Sequence, residues 1–178
     1  IDAFDAGHKD RAEAILYNAQ NVPMSGYMNM VSARAEKWGG SHDAMFAVAR
    51  RAFDPERPAA SALIARAHIE RWLFYAHFDE SPDARQNANA YFSGDVIREL
   101  TEASDRGLGT RDGDNAELLL AHGWLAFSAS FIGQGRYVKR AVRHLDKLGG
   151  YTDPGIWQML NLPPWQQKLR LRWRALIG

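Results

Sequence analysis

The sequence predicts an all-α fold assembled from antiparallel helix pairs, and three observations carry that prediction. Apolar residues recur at three- and four-residue spacing in segment after segment. The period-two alternation of β-branched residues that marks strands is not sustained anywhere. The periodic segments are separated by short clusters of Gly, Pro, Ser and Asp, residues that cap and break helices, and brief connections between helices bring neighbours side by side.

The first helix is expected from Lys9 to Asn21, with Ala12, Ile15, Leu16 and Ala19 on one face, and Val22 and Pro23 end it. Ser25 can cap a second helix reaching Lys37, with Met28, Val31 and Ala35 as its apolar stripe. Gly39 and Gly40 stop it because they tolerate left-handed backbone. Ser41 is placed to cap a third helix, Asp43 sits at the positive end of its dipole, and Met45, Phe46, Val48, Ala49 and Ala52 follow as apolar residues. The stretch from Asp54 to Pro58 breaks the pattern. A fourth helix from Ala59 to Phe78 carries Leu63, Ala67, Glu70, Trp72, Phe74 and Tyr75 on several faces, which predicts a central, buried position.

Ser81 and Pro82 restart the chain. Residues Asp83 to Phe92 read as helical, Ser93 to Asp95 as an interruption, and Val96, Ile97, Leu100 and Ala103 resume the pattern to Asp105. The glycine-rich, charged loop Arg106 to Gly113 is the expected protease-sensitive site. Asp114 with Glu117 then resembles a capping box opening a helix to Gly133. Arg136 to Leu148 is the next helix, Gly149 to Pro154 closes it, Ile156 to Leu160 reads as one short turn, and Pro163 with Pro164 opens a final helix to Ile177.

Composition is that of an ordinary globular protein, with 46% apolar and 24% charged residues, and 178 residues suffice for one core, so a single helical domain over 1–178 is expected. Opening on Ile1 rather than Met, the chain reads as part of a longer one, and no basic segment followed by an apolar core suggests a signal peptide. Without Cys there are no disulfides, thiolate metal sites or cysteine nucleophiles, which fits a cytoplasmic location. Leu118 to Gly135 is uncharged for eighteen residues but includes His122, Ser128, Ser130, Gln134 and three glycines, so it is read as a buried central helix rather than a membrane span. Net charge is +1 but unevenly spread. Four cations and no acid follow Asp153, so the first 153 residues hold 18 cations against 21 acids. A balanced body with a basic end is not the footprint of a dedicated nucleic-acid domain.

The pair Ala116 to Phe131 and Arg136 to Leu148, joined through Gly133-Gln134-Gly135-Arg136-Tyr137, resembles one tetratricopeptide unit. Gly135 and Tyr137 sit at the unit's spacing, whereas Arg140 occupies the small-residue position and the alanine follows at Ala141. Gly7 to Ala12 keeps the same Gly-to-Ala interval with Lys9 in the aromatic position. Lys37-Trp38-Gly39-Gly40-Ser41-His42-Asp43-Ala44-Met45-Phe46, followed by Ala67-His68-Ile69-Glu70 and by Leu148-Gly149-Gly150 through Trp157, resembles a bacterial family of tetratricopeptide-like domains of unknown function that carry a Trp-Gly-Gly-Ser motif. The likeness spans residues 27 to 160. It implies a tetratricopeptide-like α-solenoid or an irregular helical bundle, and no mechanism.

Two readings of Trp38 to Ser41 compete. In one, glycine amides and the following helix N-terminus bind an anion. In the other, Trp38 packs into the helix layer, the glycines turn the backbone and Ser41 restarts the helix; this accounts for each residue without a ligand and is preferred. His68 and Glu70, two apart on a helix, point about 200° from each other and cannot share a ligand. Glu70 shares a face with His77 and with Arg66, where an ion pair is the simpler outcome. His8, His42, His122 and His144 show no local ligand spacing, and there is no Gly-x-Ser-x-Gly elbow, Walker loop or dinucleotide fingerprint.

A binding site is therefore sought at Trp38, Gly39, Gly40, Ser41, His42, His68 and Glu70, with no catalytic residue, metal or cofactor assigned. In the last helix Trp165, Leu169, Trp173 and Leu176 share one side, flanked by the basic surface Lys168, Arg170, Arg172 and Arg174. That side is read as docking on the helical array while the cations snorkel to solvent; a peripheral contact with anionic membrane is the lesser reading. The leading expectation is a protein-interaction or scaffold module with a protein partner and no nucleic acid. The alternative is a small-molecule-binding protein or hydrolytic enzyme, with His42, His68, Glu70 and His77 converging in a pocket.

Overall fold

A computed structural model describes residues 6–19, 22–52, 57–109, 116–132, 135–149 and 163–177. Among them the chain is all-α, with nine α-helices, two 3₁₀ turns and no strand: α1 Ala6–Asn18, α2 Met24–Ala33, the 3₁₀ turn Glu36–Trp38, α3 His42–Arg51, the 3₁₀ turn Pro58–Ser61, α4 Ala62–His77, α5 Ala84–Ala90, α6 Gly94–Leu108, α7 Ala116–Ile132, α8 Gly135–Lys147 and α9 Pro164–Ile177. The chain divides into two compact units, Ile1–Tyr91 and Phe92–Gly178. The cap at Asp114, residues 110–113 of the expected loop, and the segment Gly150 to Leu160 with Trp157 lie outside the described residues.

In the N-terminal unit α2, α3 and α4 pack on one another, α1 lies on α2, and α5 lies on α4. The first half of α4 is the centre. Ala62, Leu63, Ile64, Ala65, Ala67, His68, Ile69 and Glu70 are all buried, so this half has no polar face, as a helix enclosed on all sides requires. Its aromatic second half, Trp72 to Tyr75, is only half-buried, where the sequence suggested full burial. Met28, Val31 and Ala35 of the second helical stretch are buried as their spacing predicts. That helix begins at Met24 with Pro23 as the flanking residue, because proline presets the entry angle, and Ser25 is not its cap. It also ends at Ala33, short of Lys37, and the chain tightens into the 3₁₀ turn.

The face expected to bury α1 is a correction. Ile15 is 69% exposed, and Ala12 and Ala19 are exposed as well. The helix is rolled instead onto Lys9, Glu13, Leu16 and Tyr17. Arg34, at the end of α2, reaches Asp10 at 2.7 Å and Glu13, the Lys9 ammonium donates to the Trp38 carbonyl, and the Arg51 guanidinium stacks 3.9 Å from the centre of the Tyr17 ring. Two alanines, one isoleucine and one leucine are a thin apolar stripe, of which only Leu16 is half-buried, and these polar and aromatic contacts set the rotation.

In the C-terminal unit α7 packs on α6 and α8, α6 also meets α8, and α9 lies on α8. Every residue from Ala121 to Ala129 is buried, so the middle of the uncharged segment is an enclosed central helix. Among the described residues no helix is long and apolar enough to cross a membrane. On α8 the buried stripe is Tyr137, Val138, Ala141 and Leu145, with Arg136, Lys139 and Arg143 exposed opposite. The side of α9 expected to dock is the second correction: Trp165, Leu169, Trp173 and Leu176 face solvent, and Gln167 and Leu171 make the buried side.

Candidate functional site

The Trp-Gly-Gly-Ser segment forms a closed turn. Gly39 adopts left-handed backbone with φ of 73°, which an L side chain resists, and a Cβ at Gly40 would lie 2.0 Å from the carbonyl oxygen of Arg34. Both positions therefore call for glycine, for different reasons. Gly39 N–H donates to the Glu36 carbonyl at 2.9 Å, Gly40 N–H to the Ala35 carbonyl at 3.2 Å, and Ser41 N–H to the Arg34 carbonyl at 3.0 Å. Ser41 Oγ in turn accepts from the Ala44 N–H at 3.1 Å, the N-cap its position in the sequence predicts. The glycine amides an anion would need are thus already engaged with protein oxygens. Trp38 does not pack into the helix layer; it is 56% exposed, and its neighbour Lys37 turns inward instead.

Lys37 reaches Glu70 at 2.7 Å, and Glu70 is 1% exposed on the enclosed half of α4. Arg66 pairs with the other oxygen of the same carboxylate, as the i,i+4 spacing predicts, and also donates to Ser32 Oγ at 2.8 Å. Burial pushes the Arg66 guanidinium below its ordinary range, and the Glu70 carboxylate pulls it back. One buried carboxylate therefore ties α2, the 3₁₀ turn Glu36–Trp38 and α4 together, and a charge there is tolerable only because two cations face it. The Lys37 ammonium sits 5.9 Å from the Trp38 ring centre and 5.5 Å from that of Phe78, itself 53% exposed.

His42 lies on the other side of the turn. Its Nε2 faces Glu36 at 3.1 Å, and its ring meets Phe74 and Tyr75 edge-on at 5.2 and 5.7 Å. Its pKa is lowered, first by burial and then by Arg71, against the opposing pull of Glu36. His68 Nδ1 hydrogen-bonds Tyr91 Oη at 2.7 Å, and its ring lies 4.7 Å from Phe46. Arg71 donates twice to Tyr75 Oη, and Tyr75 and Tyr91 are ring neighbours at 5.9 Å. The residues singled out in the sequence share one unit but serve separate partners: His68 goes to Tyr91, Glu70 to Lys37 and Arg66, His42 to Glu36, and His77 lies exposed beside Trp72. Among the described residues no group of three or more His, Asp or Glu could hold a metal ion.

The C-terminal unit contains an arrangement that local spacing does not disclose. Ser104 of α6, His144 of α8 and His122 of α7 form a buried chain, with Ser104 Oγ 2.9 Å from His144 Nε2 and His144 Nδ1 2.8 Å from His122 Nδ1. Burial and the neighbouring His122 push the His144 pKa down to about 3, so the imidazole is neutral near pH 7. The order Ser–His–His invites comparison with a hydrolytic triad. Ser104 is 2% exposed and His144 0%, however, so a substrate has no access, and a base of such low pKa is poorly matched to proton transfer at neutral pH. The chain is a polar tie between three helices. Residues 40 and 22 positions apart cannot be paired from the sequence without the helix packing.

In the C-terminal unit the Trp165 to Trp173 stripe of α9 is exposed and apolar, and Arg172 of the same helix pairs with Asp146 of α8 at 2.5 Å. Comparison with protein-family models, with curated proteins and with solved structures finds no match.

Proposed function

We propose that the chain is a protein-interaction module, of tetratricopeptide-like type, whose N-terminal unit contacts its partner through Trp38 and Phe78. One observation carries this reading. Two large aromatic side chains, each more than half exposed, flank an ammonium already paired with buried Glu70. Energetic anchors of protein interfaces are typically such residues: large amphipathic rings held by a rigid support, with little side-chain entropy left to lose. The support here is rigid, because the turn that presents Trp38 is closed by its own backbone hydrogen bonds and by the Lys37–Glu70 ion pair. The engaged amides of that turn count against an anion-binding reading of the same motif. The tight α7–α8 pair, with Tyr137 and Ala141 buried between helices, supports the tetratricopeptide-like assignment. A cysteine-free chain suits a reducing cytoplasm, where we place it.

Affinity capture of the full chain at two salt concentrations, beside a Trp38→Ala/Phe78→Ala variant, tests the proposal. A discrete protein retained by the parent and lost by the variant is expected. Equal retention by both, or nothing retained by the parent, overturns the reading; the exposure of both side chains keeps folding out of the comparison.

A further inference from the structure

The solvent side of α9 is an apolar stripe between cations. Trp165, Leu169, Trp173 and Leu176 are 64, 64, 64 and 82% exposed. At about 100° per residue they fall within roughly 80° of one another, directly across the helix from buried Leu171. Lys168 and Arg172 lie along one edge of the stripe, and Arg170 and Arg174 beyond the other. Trp165, Gln166, Leu169, Arg170 and Trp173 line a shallow surface groove. A cluster of large apolar side chains held in water marks a surface with a partner.

Charge identifies the partner's chemistry. Together α8 and α9 hold nine Lys and Arg and a single acid, Asp146, in a chain whose net charge is +1. Asp146 pairs with Arg172, and Arg140 engages Asp105 of α6, which leaves the helix pair strongly cationic. Its complement is an anionic surface that also accepts tryptophan and leucine. A polynucleotide supplies phosphates and stacking but leaves Leu169 and Leu176 in water. A bilayer supplies phosphates and carboxylates above an acyl layer, and tryptophan rings settle at that boundary.

We infer that α9 lies on an anionic lipid surface. The Trp165–Trp173 stripe enters the boundary between headgroups and acyl chains, and the flanking cations reach lipid phosphates, their methylene stems covering the edges of the stripe. The helix lies in the plane of the surface, since its opposite face is committed to α8. It involves neither Trp38 nor Phe78, and the inference does not rest on the protein-interaction reading.

Co-sedimentation of the full chain with vesicles tests it. Binding is expected to phosphatidylcholine vesicles containing about 30 mol % phosphatidylserine at about 0.1 M salt, at least ~10-fold weaker without the anionic lipid or at about 0.5 M salt. Trp165→Ala/Trp173→Ala and Arg170→Glu/Arg174→Glu should each weaken binding ~10-fold or more while leaving the helical circular dichroism of the parent. Brominated acyl chains should quench the parent's tryptophan fluorescence, a readout that needs no variant. Absence of vesicle binding overturns the inference, as does binding that the tryptophan variant retains in full. A DNA duplex bound by the parent under conditions where vesicles are not bound would assign the surface to nucleic acid instead.

Discussion

Acidification should weaken the C-terminal unit through His144 in particular. The folded imidazole has a pKa near 3, against 6.5 for the unperturbed side chain, because protonation would place a cation in a dry site beside His122, Lys147 and Arg140. Below pH 6.5 the unfolded chain takes up a proton that the folded chain refuses until about pH 3, so unfolding becomes easier as pH falls through that window and stability is fully present only above it. Integrating between the two pKa values gives a loss of about 2 kcal/mol at pH 5 and about 3 kcal/mol at pH 4. For a chain of this size, 2 kcal/mol corresponds to roughly 4–8 °C in Tm. Because other groups titrate as well, the measurement is a difference. Urea unfolding of the parent and of His144→Asn, which keeps a hydrogen-bonding side chain but cannot titrate, is followed at pH 7 and pH 5. The parent should lose about 2 kcal/mol more than the variant over this interval. Parallel losses, equal within about 0.5 kcal/mol, would refute the argument and mean that His144 is protonated in the folded protein.

Two further perturbations address the N-terminal unit. Gly40→Ala should be far more damaging than Gly39→Ala: the former drives a methyl group into the Arg34 carbonyl, while the latter meets open space and costs only about 1–2 kcal/mol for left-handed backbone, as thermal unfolding of the two would show. Glu70→Ala leaves Lys37 and Arg66 facing each other without a counter-charge and should cost about 3 kcal/mol in chemical denaturation; a loss below about 1 kcal/mol would mean that the carboxylate does not tie α2, the 3₁₀ turn and α4 together.

Much of the candidate site was legible because its signals are local. The Ser41 cap, the left-handed Gly39, the Arg66–Glu70 pair and the divergence of His68 from Glu70 all follow from spacing within one or two turns of backbone. Lys37 was not singled out, although it lies in the same motif, because its importance depends on a carboxylate 33 positions away. Trp38 was read as a packing residue because large apolar side chains usually are, and nothing in the sequence around it shows that Lys37 takes the inward direction in its place.

What the sequence by itself determined is the all-α class, the approximate extent of most helices, and the enclosure of the first half of α4 and the middle of α7, since periodicity, caps and the lack of a polar face are properties of a short stretch of chain. Only the tertiary structure decided which side of α1 and α9 turns inward. In α1 the apolar stripe is too thin to outweigh Arg34, Lys9 and Tyr17. In α9 Leu171 lies opposite Trp165, Leu169 and Trp173, so both sides are apolar and the choice falls to the partner helix. The Ser104–His144–His122 chain was settled in the same way. A local pattern can say that a side chain is able to be buried, but the groups that bury it come from distant positions and exist as neighbours only after the helices have packed.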